Sequence, residues 1–454
     1  MGRRTTAALL AIALGWAAAR AAEPPSARRI SLARAIAIGL RRNRTFAAAR
    51  FARAAADADA DVARGAMIPH LDAGENYSAS DNPVQVFSDL LMQQDFTANN
   101  FALTSLNQPG FFSNFQSDVT LSFPVFAGGR LVAAWRAAGF DAQAARWREA
   151  EARQRMEFGV IRAYYAALLA ERRVAVVARA LAAARAHLAI ARDRYRHGMA
   201  VNADVLRAEV TTGALEQQRI EAASGVAIAR DELGHALGAE DQGLAPLEHP
   251  PELAAAGNPG EPLPALMARA VAARPEIHAA QARLAAARQN VTIARADYLP
   301  TITVASVYEN DSEMLTRAGN NAGVFVNARL NLFNGLATRA RVDAAAARLR
   351  RLAVLTRDLD EAVRLQVSTA WRRLDAARQG LTVARRDVGY ADAALKILDD
   401  RYGAGLAPNV AVLDAETARE QADMRLVGSE INAAVDRAAL DLATGAEPYA
   451  AEAR

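Results

Sequence analysis

The sequence predicts a mainly α-helical chain that carries part of a membrane β-barrel and is written as two copies of one unit. Three observations predict it. The stretch RYRHGMAVNADVLRAEV from Arg194 returns 207 positions later as RYGAGLAPNVAVLDAET from Arg401, with Tyr195 and Tyr402, Gly198 and Gly405, Asn202 and Asn409, Leu206 and Leu413, and Glu209 and Glu416 in register. A long apolar seam leads into each copy of that motif. Between the helical stretches the apolar period drops from 3.6 to 2, once in each half.

At the N-terminus, MGRR is a basic n-region, AALLAIALGWAAA an apolar h-region, and Ala19-Arg20-Ala21 a small-x-small cleavage site. Residues 1–21 therefore read as a secretory signal peptide, too short for a spanning helix. No later segment holds about 18 uninterrupted apolar residues, which excludes a helical membrane protein. Without Arg3, Arg4 and Arg20 the formal charge falls from +4 to about +1. No basic stripe interleaved with aromatics is present, so no nucleic-acid partner is expected. The absence of cysteine removes disulfides, thiolate metal sites and a lipid-modified N-terminal cysteine.

Two repeats follow, at 22–238 and 264–445. A linker rich in Pro and Gly, 239–263, lies between them, and a short tail, 446–454, closes the chain. ARGAMIPHL from Ala63 matches ARADYLPTI from Ala294, pairing Pro69 with Pro300. FPVFAGG from Phe123 matches LNLFNGL from Leu330, pairing Phe126 with Phe333 and Gly128 with Gly335. The first offset is 231 and the second 207, so the first repeat carries 24 extra residues between these landmarks. They fall in DNPVQVFSDLLMQQDFTANNFALTSLNQPGFFSNF, the connection between the first two strands, which reads as a surface loop larger than its counterpart NDSEMLTRAGNN.

Each repeat contains one very long helix. In the second, Val367, Ala370, Leu374, Ala377, Leu381, Ala384, Val388, Ala391, Leu395, Leu398 and Tyr402 step by threes and fours. The positions 207 earlier, from Val160 to Tyr195, are all apolar as well. This is a coiled-coil seam. From Arg130 to Arg196 such a helix would run about 100 Å. A second row widens it: Ala376, Val383, Tyr390 and Ile397, matched by Leu169, Val176, Ala183 and Ile190. A two-stranded coil needs only the narrow stripe; the broader face suits a helix with a neighbour on each side, as in a ring.

Two predicted hairpins occupy 70–126 and 300–333. FQSDVTLSFPV puts Phe115, Ser117, Val119, Leu121, Phe123 and Val125 on one face and Gln116, Asp118, Thr120 and Ser122 on the other. In GVFVNARLNL, Val324, Val326, Ala328, Leu330 and Leu332 alternate with Phe325, Asn327, Arg329 and Asn331. These runs have the length and alternation of transmembrane strands. Their partners, near LDAGENYSAS and TITVASVYEN, alternate less cleanly. Four strands cannot close a barrel, and an open edge is not viable in lipid. Three copies would supply twelve, so the sequence asks for a trimer. On that reading Asp118, Thr120, Ser122, Asn327, Arg329 and Asn331 face the barrel lumen.

Chemistry is not expected. The six histidines have no HExxH spacing, and no GxSxG, Walker loop or GxGxxG stands in a strand–turn–helix context. No catalytic residue, metal or cofactor is predicted.

At this point the chain resembles the TolC-like outer-membrane efflux protein family, over roughly Ser31 to Gly445. The repeated Tyr-x-x-Gly turn leading into Val-Leu-x-Ala-Glu, the proline before each hairpin and the Phe-x-Gly after it carry the resemblance. It implies a homotrimer whose twelve-stranded barrel lies in the cell outer membrane, in contact with its lipid. That barrel would continue into a long α-helical coiled-coil barrel in the periplasm. It also implies a passive exit duct, served by an inner-membrane pump and a periplasmic adaptor. Two other classes bear on the same features. A periplasmic adaptor would need one hairpin between Gly-rich all-β domains, and a coiled-coil scaffold would leave the signal peptide and strands unexplained.

The resemblance makes each repeated turn a periplasmic tip against which the adaptor docks. Gly198 and Gly405 would end the long helices, and Asn202 and Asn409 are good N-caps for the returning ones. In the family, acidic residues near this tip narrow a closed entrance that Tyr and Arg contacts hold shut. Asp204, Asp414 and Tyr402 match such positions, whereas Ala411 and Ala407 stand where the pattern has a second acidic residue and the arginine. Asp204 also has a plain reading, because a carboxylate in the first turn of a helix gains roughly 0.3–1 kcal/mol from the helix dipole.

Overall fold

The computed structural model describes residues 29–238, 245–249, 260–314 and 319–446. The predicted signal peptide, most of the linker and nearly all of the tail lie outside the described residues. The first part of the chain runs α1 (Leu32–Arg42), α2 (Arg44–Gly65), β1 (His70–Ser80), α3 (Pro83–Met92), α4 (Leu103–Asn107), β2 (Phe112–Ala127), α5 (Arg130–Arg196) and α6 (Asn202–Leu237). The second runs α7 (Leu263–Ala273), α8 (Pro275–Arg295), β3 (Thr301–Ser312), β4 (Gly319–Arg329), α9 (Ala337–Gly403) and α10 (Asn409–Ala443).

α5 and α9 are each 67 residues long, about 100 Å of helix. They organise a single layer of helices. Near the sheet the neighbours run α2, α5, α8, α9; toward the glycine turns they run α6, α5, α10, α9. The predicted seams are buried in this layer, with Val160, Ala167, Val177, Leu181, Ala184 and Ala191 on α5 and Val367, Leu374, Leu381 and Ala384 on α9. By composition α5 contains a stretch apolar enough to cross a membrane. Its large apolar side chains Val160, Ile161, Tyr164, Leu168 and Val177 are instead buried against neighbouring elements.

The widening row is covered in part on one helix only. On α5, which has a helix on each side, Val176 is buried and Leu169 half-buried, while Ala183 and Ile190 are exposed. On α9, which has α10 or α8 on one side only, Val383, Tyr390 and Ile397 are exposed. α9 is thus an edge of the layer, with an apolar face that nothing in this chain covers.

Midway along the layer the short helices close a belt. Ile30, Ile36, Met156, Ile161, Tyr164, Leu233 and Leu237 form one core, and Leu266, Ile277, Val363, Val367, Leu374 and Leu440 form another. Ile30 pairs as a parallel bridge with Leu247. The Tyr164 hydroxyl bonds the Ile30 carbonyl at 2.9 Å beneath that bridge.

The strands form one antiparallel sheet in the order β1-β2-β3-β4, so β1 and β4 are open edges. Directly paired residues share a face, and the register sorts most side chains by polarity, with Glu75 and Asn310 on the mainly apolar face and Val307 and Phe325 on the mainly polar one. Leu71, Tyr77, Phe115, Val119, Leu121, Phe123, Tyr308, Val324 and Val326 lie on one, and Asp72, Asn114, Gln116, Asp118, Thr120, Ser122, Glu309, Asn321, Asn327 and Arg329 on the other. A bulge between Pro124 and Phe126 keeps Phe126 on the apolar side with Ile302 and Ala328. β1 alternates as well as its partners do, which the sequence did not make evident.

Two expectations are corrected. β4 ends at Arg329, so Leu330, Asn331 and Leu332 lie beyond the sheet and its alternation does not reach Asn331. The β1–β2 connection is not a plain loop. It holds α3, a 3-10 turn at Ala98–Phe101, and α4. Asn82 starts α3 by accepting from the Val84 and Gln85 amides, with Pro83 in the first turn.

The sheet is fixed on the helices at one joint. Asp297, just before β3, binds both Arg130 at the start of α5 and Arg341 at the start of α9, the latter at 2.9 Å. Gly128 turns there with φ +60°, and a Cβ on it would meet the Ala296 carbonyl.

Candidate functional site

The two repeated turns lie together at the end of the layer remote from the sheet. Each is built by backbone alone. Gly198 and Gly405 have φ of +71° and +76°, a conformation that side chains resist. Met199 N donates to Arg194 O and Gly198 N to Tyr195 O; Leu406 N donates to Arg401 O and Gly405 N to Tyr402 O. Both turns are therefore Schellman motifs that satisfy the last carbonyls of the long helices.

The asparagines do not cap the returning helices as predicted. α6 begins at Asn202 and α10 at Asn409, and neither helix has a side-chain cap at its N-cap residue, Val201 or Pro408. The preceding extended residues leave each asparagine inside the helix, where its side chain points away from the free amides. Asn202 stays exposed. Asn409 is buried, takes a short contact from His187 Nε2 on α5 and donates to the Asp204 carbonyl at 3.2 Å. Because its amide nitrogen serves Asp204, its oxygen faces His187, which assigns the donated proton to Nε2 of that ring.

Tyr402 is the centre of the cluster. Its ring lies 5.2 Å from the His187 ring and 4.1 Å below the Arg194 guanidinium. Arg194 Nη2 also donates to the Tyr402 carbonyl at 2.8 Å and the Gly403 carbonyl at 3.2 Å. Position 407 is alanine, and the arginine that meets Tyr402 is Arg194, in the last turn of α5. Burial raises the Glu416 carboxyl above its usual range, with Asp399 adding to the shift and His187 opposing it.

The predicted residues thus divide. Tyr402, Asn409 and, through its backbone, Asp204 join one cluster. Asp414 is exposed, on the second turn of α10, and the Asp204 side chain is half-buried. Asp118, Thr120, Ser122, Asn327 and Arg329 share the polar face of the sheet, at the other end of the molecule. Arg194, His187 and Glu416 were not singled out. Arg194 had one signal, since an arginine precedes the tyrosine in both copies of the motif.

Among the described residues no group of three or more metal-ligating side chains occurs. The arrangement offers a contact between two helical hairpins and no reactive centre.

Comparison with known proteins agrees with this geometry. The family described as "Outer membrane efflux protein" matches residues 36–239 and 266–446. Protein CyaE of Bordetella pertussis is 32% identical over 320 residues, 69% of this chain and 67% of that protein. Outer membrane efflux protein BepC of Brucella suis is 28% identical over 268 residues, 58% of each chain. Among solved structures, the outer membrane protein VceC from Vibrio cholerae superposes with a TM-score of 0.74 at 19% identity, over 91% of this chain and 96% of that one. The open state of the Neisseria gonorrhoeae MtrE outer membrane channel gives 0.75 at 19% identity, over 92% and 89%.

Proposed function

The chain belongs to the outer membrane efflux protein family, and from that premise we propose how this fold is used. It is an outer-membrane exit duct of a tripartite efflux or secretion system, lying in the cell outer membrane and extending into the periplasm. Three copies close the duct. Four strands from each give a twelve-stranded barrel, and the helical layers join edge to edge into a coiled-coil tube. The internal repeat makes each chain contribute two similar hairpins to that tube.

One observation carries this reading. A four-stranded sheet with two open edges shows an uncovered apolar face, and it is joined to two 67-residue helices of which one is itself an open edge. Lipid suits the apolar face, which puts Asp118, Thr120, Ser122, Asn327 and Arg329 toward the lumen. Asn331 falls at the barrel's periplasmic rim. Neither a periplasmic adaptor nor a coiled-coil scaffold requires a lipid-facing surface.

The duct conducts passively and performs no chemistry. An inner-membrane pump and a periplasmic adaptor deliver the substrate, and the adaptor meets the turns at Gly198–Asn202 and Gly405–Asn409. Asp204, Asp414 and Tyr402 line the entrance. The test is purification from outer membranes, followed by size measurement in detergent and planar-bilayer recording. A trimer with discrete conductance steps is expected; a soluble monomer without channel activity overturns the reading.

A further inference from the structure

The contact between Arg194 and Tyr402 has a counterpart that this chain cannot make by itself. Arg194 and Tyr402 come from equivalent positions of the two motif copies, Arg194-Tyr195 and Arg401-Tyr402. The arginine of the first copy covers the tyrosine of the second. Arg401 and Tyr195, which would form the reciprocal pair, are both exposed, and Arg401 has no side-chain hydrogen bond or ion pair among the described residues.

The same asymmetry recurs at two more pairs of equivalent positions. Leu413 on α10 is 6% exposed, whereas Leu206 on α6 is 53% exposed. Asn409 is buried and Asn202 exposed. In each pair the buried member belongs to α9 or α10, beside the first hairpin. The exposed member belongs to α5 or α6, which has no second hairpin on that side.

The helix order explains the pattern. Toward the turns it runs α6, α5, α10, α9, so α10 separates α5 from α9 at the contact that exists. Placing α6 of another copy against the open flank of α9 would continue the series. It would set α9 relative to the neighbour's α5 as α5 is set relative to α9 within the chain.

We infer that Arg401 of one copy covers Tyr195 of the next, so that three chains hold six Arg–Tyr clamps around the entrance. Three clamps lie within chains and three join them. This rests on the trimeric duct proposed above and names the residues by which its subunits grip each other at the turns. The occupant of the open flank is a second copy of the chain, because the clamp it would complete is written in the chain's own repeat. The guanidinium would sit on the ring as Arg194 does, an arrangement that Phe or Trp preserves and Ala abolishes.

The chain has no cysteine, so an introduced pair is unambiguous. Arg194 meets Tyr402 through the end of a long side chain, so a thiol cross-linker reaching roughly 8 Å, longer than a direct disulfide, is used. R194C/Y402C calibrates it by cross-linking within one chain, leaving denatured monomers. R401C/Y195C is expected to give covalent dimers and trimers on denaturing gels, and either single variant only monomers. Monomers alone from R401C/Y195C, in a preparation that is trimeric by native size, overturn the clamp. A preparation that is monomeric by native size overturns the trimeric reading itself.

A second readout does not depend on cross-linking. R401A and Y195A should each raise the open probability in planar bilayers by roughly twofold to fivefold, with no further gain in the double variant. Y195F should behave as the parent. Equal open probability in R401A, Y195A and parent channels also overturns the clamp.

Discussion

The Arg194 guanidinium lies 4.1 Å over the ring of Tyr402, and the same side chain donates to the Tyr402 carbonyl at 2.8 Å. Two residues 208 positions apart thus tie the end of one long helix to the end of the other. The charge contacts the ring face and the backbone, and neither contact uses the phenol hydroxyl.

That geometry predicts an order of effects. Tyr402→Phe should leave single-channel behaviour near that of the parent, whereas Tyr402→Ala and Arg194→Ala should open the entrance. A cation over a partly desolvated ring contributes about 1–2 kcal/mol, so Arg194→Ala should raise open probability several-fold in planar bilayers. Equal loss in Tyr402→Phe and Tyr402→Ala would assign the contact to the hydroxyl instead.

Glu416 predicts a pH dependence with a defined sign. Burial raises its folded-state pKa, so the folded cluster holds a proton more readily than the unfolded chain. Stability is then lost as pH rises from the ordinary carboxylate range through the raised value. Glu416→Gln should stabilise the helical part at neutral pH and change little under acid conditions. Thermal unfolding at pH 4 and pH 7.5, approximate values that bracket the window, is the comparison, and an equal effect at both contradicts the shift.

Two positions on α9 should separate folding from assembly. Leu374 is 1% exposed, and Leu374→Ala should cost about 2–5 kcal/mol in a cavity-forming core site. Tyr390 is 67% exposed, and Tyr390→Asp should leave the helical content intact but shift the native size from trimer toward monomer. Circular dichroism together with light scattering distinguishes the two.

α3 is seated on the polar face of the sheet, at the end away from the helices. The Asn321 side chain donates to the Met92 carbonyl at 3.1 Å, Gln93 Nε2 to Asn114 Oδ1 at 2.9 Å, and Asn114 Nδ2 to Asp311 Oδ1 at 2.8 Å. A Cβ on Gly319 would run into the Met92 carbonyl. Gly319→Leu should therefore unseat α3 without unfolding the long helices. Faster protease cleavage between residues 81 and 111, at unchanged helical content, is the expected result.

Asp414 is exposed near the turn, outside the Tyr402 cluster. If it lines the entrance, Asp414→Ala should reduce cation selectivity, read as a reversal potential closer to zero in a salt gradient. Asp204→Ala should change selectivity less, because its visible contact is through its backbone carbonyl. Unchanged selectivity in Asp414→Ala removes it from the conduction path.

Much of this fold was written locally. The step of threes and fours from Val160 to Tyr195 and from Val367 to Tyr402 anticipated two long helices, including the limits of α5 at Arg130 and Arg196. Alternation placed Asp118, Thr120 and Ser122 opposite Phe123 and Leu121, and the two motif glycines carried the turns. Each of these follows from backbone geometry within a few residues, where helix and strand periods and a positive φ leave their mark directly.

Tertiary structure decided which of those elements meet. Nothing near Asn409 says that its side chain meets His187, 222 residues away. Nothing near Val383 says that its helix, unlike its twin, lies at an edge. The α3 seat, the end of β4 at Arg329 and the reach of Arg194 across α10 share this character. They depend on which surfaces the packed layer brings into contact, and a motif repeated in both halves does not specify that: the equivalent helices share an apolar seam, and their order in the layer determines which faces are covered.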